Sequence, residues 1–270
     1  MRGIALHTSL WLGLVLTLFP FYWMIVMATN TTEDTRRYPP EFTIGPEFLA
    51  NIGRVFERID FLGALVNTII VAVSVTFLVL FFDSLAAFTF AKFEFPGKRF
   101  LFATLIGTYL LPVQLAVIPQ FIVMVKLGWV GSFKALIVPA AANAFGIFWM
   151  RQYIQNAVQD DVLAAARLDG CGFFRQYLYM AVPMIRPGLA FLGIFTFVAS
   201  WNDYIWPLVV FSQPDRTTLQ VALAKLNAAY AIDFSMLMAG SLLAIVPLIL
   251  IFMVFARNFV RDIAKGAVEG

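Results

Sequence analysis

The sequence predicts an all-α, polytopic membrane protein, from its composition, from the length of its apolar runs and from where its charges fall. Of 270 residues, 61% are hydrophobic and only 13% charged, with a mean hydropathy of +0.84. Soluble domains carry about a quarter charged residues, so this chain has too little polar surface to face water all round. A hydrocarbon core about 30 Å thick needs about 20 apolar residues per helix. Runs of about that length recur along the chain, and lysines and arginines collect in the gaps between them.

About six spans are expected: Ile4 to Ala28, Phe61 to Ala91, Phe100 to Val125, Phe133 to Met150, Leu189 to Phe211 and Met236 to Ala256. The first exceeds the apolar core of a secretory signal, and Val26-Met27-Ala28 is a poor small-x-small cleavage site, so it is read as a helix. Together they form one transmembrane domain over 1–270, with an external loop at about 30–60, a cytoplasmic loop at about 151–187 and a cytoplasmic tail at about 257–270. Lysines and arginines in the N-terminal side's segments (Arg2, Lys92 to Arg99, Arg151 to Arg186, Arg257 to Lys265) outnumber those of the other loops. That bias puts both termini in the cytoplasm of a cell-membrane protein.

The segment from Asn30 to Asp60 contains Pro39-Pro40 and Gly45-Pro46, then turns amphipathic through Phe48, Ile52, Val55 and Phe56. A surface loop with a short helix fits it, either as a connector or as a docking surface for an external partner. Pro96-Gly97 marks the turn after the second span, beside Lys92, Lys98 and Arg99. The short Lys126–Ser132 loop makes the third and fourth spans antiparallel neighbours. Prolines fall inside several spans: Pro112, Pro119, Pro139, Pro207 and Pro247. Each deprives the carbonyl four residues earlier of its partner, so Thr108, Leu115, Ala135, Asp203 and Leu243 need another donor. Kinked helices around a cavity are expected.

Between Arg151 and Pro187 the chain stays out of the membrane for longer than a turn requires. Asp160 and Asp161 suit a helix N-terminus. Val162, Ala165, Ala166 and Asp169 share a face that the alanines keep low, and Gly170 supplies a left-handed stop. After Gly172, Phe173 falls over Tyr177 and Phe174 over Leu178 on a second short helix ended by Pro183 and Pro187. Such a helix-elbow-helix knob fits a groove on a partner protein, or lies on the lipid surface.

The residues Ala165-Ala166-Arg167-Leu168-Asp169-Gly170, followed by Met180-Ala181-Val182-Pro183 and Pro187, closely resemble the EAA loop of ABC importer permeases. Ser84 to Lys92 with Phe95 to Arg99, Trp201 to Leu208, and the tail Gly266 to Gly270 resemble the carbohydrate branch of that family, in particular the second permease of maltose-type importers. The resemblance implies a coupling helix docked on an ATPase. It also implies a heterodimer with a second permease, two ABC ATPase subunits and an extracytoplasmic solute-binding protein that delivers a sugar. Asp160, Asp161, Ala164, Ala165, Ala166, Asp169, Gly170, Phe173 and Pro183 are then the coupling residues. The family's glutamate falls at Ala164 here, so the salt bridge it offers the ATPase is either missing or supplied by Asp160 or Asp161, and the tail has Glu269 where the family tends to have lysine.

Charges at membrane depth are costly and mark sites or helix contacts. Asp203, with Trp201, Asn202, Tyr204 and Trp206, offers either a hydrogen-bonding aromatic face of the kind a sugar requires or an interfacial aromatic belt. Asp83 either bonds a neighbouring helix or relays protons, and Gln114 and Asn143 either line a pathway or glue helices together. The expected pathway set is therefore Gln114, Asn143, Trp201, Asn202, Asp203 and Trp206.

One cysteine, Cys171, and one histidine, His7, leave no thiolate or imidazole cluster for a metal. GxxxxGK[ST], HExxH and GxSxG are absent, so catalysis by this chain is not expected, and ATP with Mg belongs on the partner ATPases. A net charge of +3 without a basic stripe argues against nucleic acid. The rival classes are an ion- or proton-coupled secondary transporter, motivated by Asp83 and Asp203, and an intramembrane enzyme.

Overall fold

The computed structural model describes residues 2–213, 216–227 and 233–266, and all its regular elements are helices. Two compact units divide the chain: 1–65 with 219–249, and 66–218 with 250–270. The tail residues Ala267 to Gly270, part of the family resemblance, lie outside the described residues.

In the first unit, α1 (Arg2–Thr29) carries an apolar span, Leu6–Thr29, that exposes leucine and phenylalanine on every side through Phe21. A helix apolar all round is built for lipid or for a large core. Its C-terminal end is tied down by two buried amides. Asn30 donates to the carbonyls of Val26 (3.0 Å) and Thr43 (2.7 Å), and Asn51 donates to those of Ala28 (2.8 Å) and Asn30 (3.0 Å). Each satisfies a carbonyl that the helix end leaves open.

The short helix α2 (Thr32–Arg36) follows a capping box at Thr31, and α3 (Phe48–Arg58) buries Asn51 and Val55. The expected amphipathic helix is present, although Phe56 on it stays largely exposed.

The long α4 (Phe61–Lys92) begins in the first unit and supplies the main strut of the second. After the Gly97 turn, whose φ of +80° suits glycine, come α5 (Lys98–Tyr109), a 3₁₀ turn (Val113–Ala116) and α6 (Val117–Lys126). The expected third span is thus a broken one, bent by 94°. The expected fourth span is likewise two helices, α7 (Phe133–Ile137) and α8 (Ala144–Ala157), separated by irregular chain over 138–143.

Beyond α8 lie α9 (Asp160–Leu168), then α10 (Phe173–Arg175), a π turn (Gln176–Ala181) and α11 (Val182–Met184) in direct succession. Pro183 does not end that helix; it sits in the first turn of α11, where no backbone N–H is needed. An 82° bend leads into α12 (Arg186–Trp201), and the expected fifth span breaks again before α13 (Ile205–Val210). Back in the first unit, α14 (Leu219–Asn227) and the start of α15 (Phe234–Gly266) pack on α3, with Gly240 against Leu223 and Val55.

Among the described residues, three helices are long and apolar enough to cross a bilayer unbroken: Leu6–Thr29, Phe61–Lys92 and Phe234–Met253. The two bent pairs qualify only as broken spans. The picture of kinked continuous helices therefore needs correction. Of the span prolines, Pro112 and Pro139 lie in the breaks, Pro119 and Pro207 fall in first turns of new helices, and Pro247 lies within a helix. Proline is cheapest where the N–H has no intrahelical partner, so the chain interrupts or restarts helices at most of these positions rather than bending through them.

Candidate functional site

The second unit holds two features of interest, an exposed elbow and a cavity. The elbow starts at α9. Asp160 and Asp161 occupy its first turn, where the helix dipole favours negative charge. Asp160 accepts a 2.8 Å hydrogen bond from the buried Lys92 ammonium at the end of α4, and this partner holds its carboxyl below the ordinary carboxylate range. Asp160 therefore faces this chain's own lysine, and Asp161 alone of the two points to solvent without that pairing.

The C-terminus of α9 closes on itself. Gly170 has φ +79°, its N–H donates to the Arg167 carbonyl (3.0 Å), and the Cys171 N–H donates to the Ala166 carbonyl (2.8 Å). These two bonds are the Schellman arrangement, which relies on a residue free to be left-handed. Behind it, buried Gln176 donates to the Cys171 carbonyl (2.7 Å) and accepts from Arg167 (3.4 Å). Tyr177 and Ser84 share a 2.7 Å hydroxyl bond.

The expected low face of α9 is divided. Leu163 and Ala166 are buried inward, while Ala164, Ala165 and Asp169 are exposed. Phe173 packs on Phe88 and Phe93, with ring centroids 5.7 and 5.1 Å away. Ala166 and Phe173 therefore hold the elbow to its own core, and Pro183 is exposed on the following helix. Leu168 is the residue sequence reasoning passed over: 90% exposed, it is the apolar tip of α9. Its place one turn beyond Ala164 and Ala165 was a signal available in the spacing.

The cavity, about 820 Å³, lies among α4, α5, the 3₁₀ turn, the 138–143 break, α8, α12 and α13. Gln114, Asn143, Asn202, Asp203 and Trp206, the sequence's candidates for a pathway, all line it. Trp201 does not: it is 1% exposed, stacked on Phe197 behind the wall. The carboxylate of Asp203 accepts the backbone N–H groups of Trp206 and Tyr204, fixing the chain between α12 and α13. The Trp206 indole N–H donates to the Ala135 carbonyl at 2.9 Å. That carbonyl is one of those expected to lose its partner to proline, in this case Pro139, and the structure supplies the replacement donor.

Tyr109, Phe145 and Phe195 form a run of rings on the wall, with centroids 5.9 and 4.9 Å apart. Sequence gave no sign of this platform, because its members come from α5, α8 and α12 and each alone reads as a lipid-facing aromatic.

Asp83 is fully buried on α4 and accepts the backbone N–H of Asn143 at 3.1 Å. Asn143 in turn caps α8 by accepting from the Gly146 N–H (2.8 Å). A Cβ on Gly146 would collide with the Asp83 carboxylate, so glycine is what lets the acid approach. This is the helix contact expected of Asp83, made to a neighbouring helix's first turn.

Broken helices around a cavity, beside an exposed elbow, are the architecture of a membrane permease. Residues 52–265 match the family of binding-protein-dependent transport system inner membrane components, and the chain belongs to that family. It is a membrane transport component rather than an enzyme. A lactose transport system permease of Rhizobium radiobacter is 31% identical over 96% of this chain and 93% of its own. An arabinooligosaccharide transport system permease of Halalkalibacterium halodurans is 32% identical over 76% and 73%. A bacterial ABC transporter that imports the acidic polysaccharide alginate contains a chain of the same fold, with a TM-score of 0.81 at 23% identity, covering 96% of each.

Proposed function

We propose that this chain is one of two permeases in an ATP-driven, binding-protein-dependent sugar importer of the cell membrane, forming half of a translocation pathway with a second, similar subunit. In this reading α1, α4 and α15 and the interrupted stretches α5–α6, α7–α8 and α12–α13 each cross, which gives six, with both termini in the cytoplasm. The cavity is this chain's share of the pathway, lined by Gln114, Asn143, Asn202, Asp203 and Trp206. Two ATPase subunits bind ATP and Mg and receive the cytoplasmic elbows, and an external binding protein delivers cargo. Bends of 94° and 82° leave short rigid arms on either side of a joint, which is what alternating access requires of a lever.

The observation that carries the coupling role is Leu168, an apolar side chain exposed at the tip of a helix whose stop and base are both locked. An exposed leucine on a rigid mount is a helix-in-groove anchor. Ala164, Ala165 and Asp169 are exposed within a turn of it, Asp161 is exposed two turns earlier, Gly170 follows as the stop, and Pro183 lies on the next helix. The test is Leu168→Glu in the complete importer. Assembly in the membrane is expected to persist while cargo-stimulated ATP hydrolysis falls about tenfold or more, the scale of one lost anchor residue. Wild-type coupled hydrolysis in that variant would refute the assignment.

A further inference from the structure

The cavity wall is chemically one-sided. Among the described residues that line it, Asp203 is the one charged side chain, and no lysine, arginine or histidine joins it. Its carboxylate already accepts two backbone N–H groups, so toward the cavity it acts as a hydrogen-bond acceptor. Opposite chemistry is supplied by the ring platform of Tyr109, Phe145 and Phe195. Flat apolar rings suit the C–H faces of a pyranose, and a carboxylate suits its hydroxyl hydrogens.

We propose that this wall selects uncharged or amino-bearing saccharides and discriminates against those carrying carboxylate or phosphate groups. The proposal rests on the sugar-permease reading above and narrows it. An anion entering here loses hydration, meets a like charge and finds no cationic partner among the described residues that line the cavity. A neutral saccharide keeps hydrogen-bond donors for Asp203, and an ammonium gains an ion pair. The solved fold relative comes from a transporter of an acidic polysaccharide, so the shared fold does not itself exclude acidic cargo and the charge preference proposed here rests on the wall residues.

The test uses the permease pair with its ATPases in nanodiscs without binding protein, so that the cavity alone is read. Lactose and digalacturonate are titrated, with binding followed by saturation-transfer NMR. Lactose is expected to bind at least about tenfold more tightly, the scale of an unfavourable like-charge approach in a partly desolvated site. Asp203→Lys is expected to close that gap or reverse it. Asp203→Asn, which keeps an oxygen for the two N–H groups, is expected to narrow it by about threefold or more, and it serves if the lysine variant does not assemble. Digalacturonate binding as tightly as lactose, or a ratio unmoved by the substitutions, overturns the proposal. The complete importer in proteoliposomes then separates the two levels. ATP-dependent uptake of digalacturonate alongside lactose sinks the charge selectivity and leaves the sugar permease standing, whereas no ATP-dependent uptake of any saccharide sinks the permease reading itself.

Discussion

The C-terminus of α9 and the N-terminus of α8 solve the same problem by opposite means. A helix end leaves backbone groups without partners. At α9 the solution is local: residues 166–171 close on themselves through Gly170, and a six-residue peptide already contains everything the stop requires. At α8 it is distant: Asn143 caps its own helix, but its backbone N–H is held by Asp83, sixty residues away on α4. A local device survives rearrangement of its surroundings and can move as a unit. A distant one binds two helices together and defines where the span is broken. The elbow is thus built to be displaced, and the break beside the cavity is built to stay.

That contrast can be broken most forcefully at Gly146. Gly146→Val drives a side chain into the Asp83 carboxylate and toward Leu192, and overpacking of this kind costs about 3 kcal/mol. The expected result is a large fall in the midpoint of thermal unfolding in detergent and loss of transport together. An unchanged midpoint would show that the Asp83 contact does not hold the break.

Gly170→Val attacks the local device. A left-handed non-glycine residue costs about 1–2 kcal/mol, and the added Cβ itself meets open space, so the damage is confined to the elbow's angle. Folding and membrane insertion are expected to survive while ATP hydrolysis loses its dependence on cargo. Gly170→Asn, which tolerates the same conformation, is expected to retain coupling. Equal behaviour of the two variants would separate the elbow's angle from its function.

Trp206→Phe leaves the Ala135 carbonyl without its indole donor. The expected loss is about 1 kcal/mol, the usual worth of such a bond in a membrane protein, read as a small downward shift of the unfolding midpoint.

The smallest effect belongs to the Lys92–Asp160 pair. Asp160 is exposed and its carboxyl titrates below the ordinary carboxylate range because Lys92 bonds it. A depressed folded pKa contributes stability above the unfolded value, lost as pH falls through the folded one. Unfolding measured on acidification is therefore expected to differ slightly between the wild type and Asp160→Asn at neutral pH, and to converge once the pH has fallen through the depressed folded value. A difference that persists there would assign the loss to something other than this carboxylate.

Most of the elbow was legible in the sequence. The two aspartates at the start of α9, the glycine stop and the aromatic helix after it are each written in residues a few positions apart, where helix capping rules apply directly. What those rules could not say was which way the helix faces. The neighbouring core decides that Leu163 and Ala166 turn inward and Leu168 outward. In the cavity the polar members Gln114, Asn143, Asn202, Asp203 and Trp206 announced themselves as unusual residues in apolar runs. Trp201 looked equivalent to Trp206 and is not, since it ends α12 on the buried side whereas Trp206 lies on α13 beyond the break.

The sequence by itself determined the membrane environment, the helical class and the position of the elbow, because composition, run length and capping are properties of neighbouring residues. Only the tertiary structure decided that α5–α6, α7–α8 and α12–α13 are broken pairs, that a tryptophan replaces the donor lost to a proline, and that Asp83 meets Asn143. Each of those depends on which distant backbone groups come within hydrogen-bonding reach, and a membrane interior that offers no water to such groups makes the choice of partner a matter of packing rather than of local sequence.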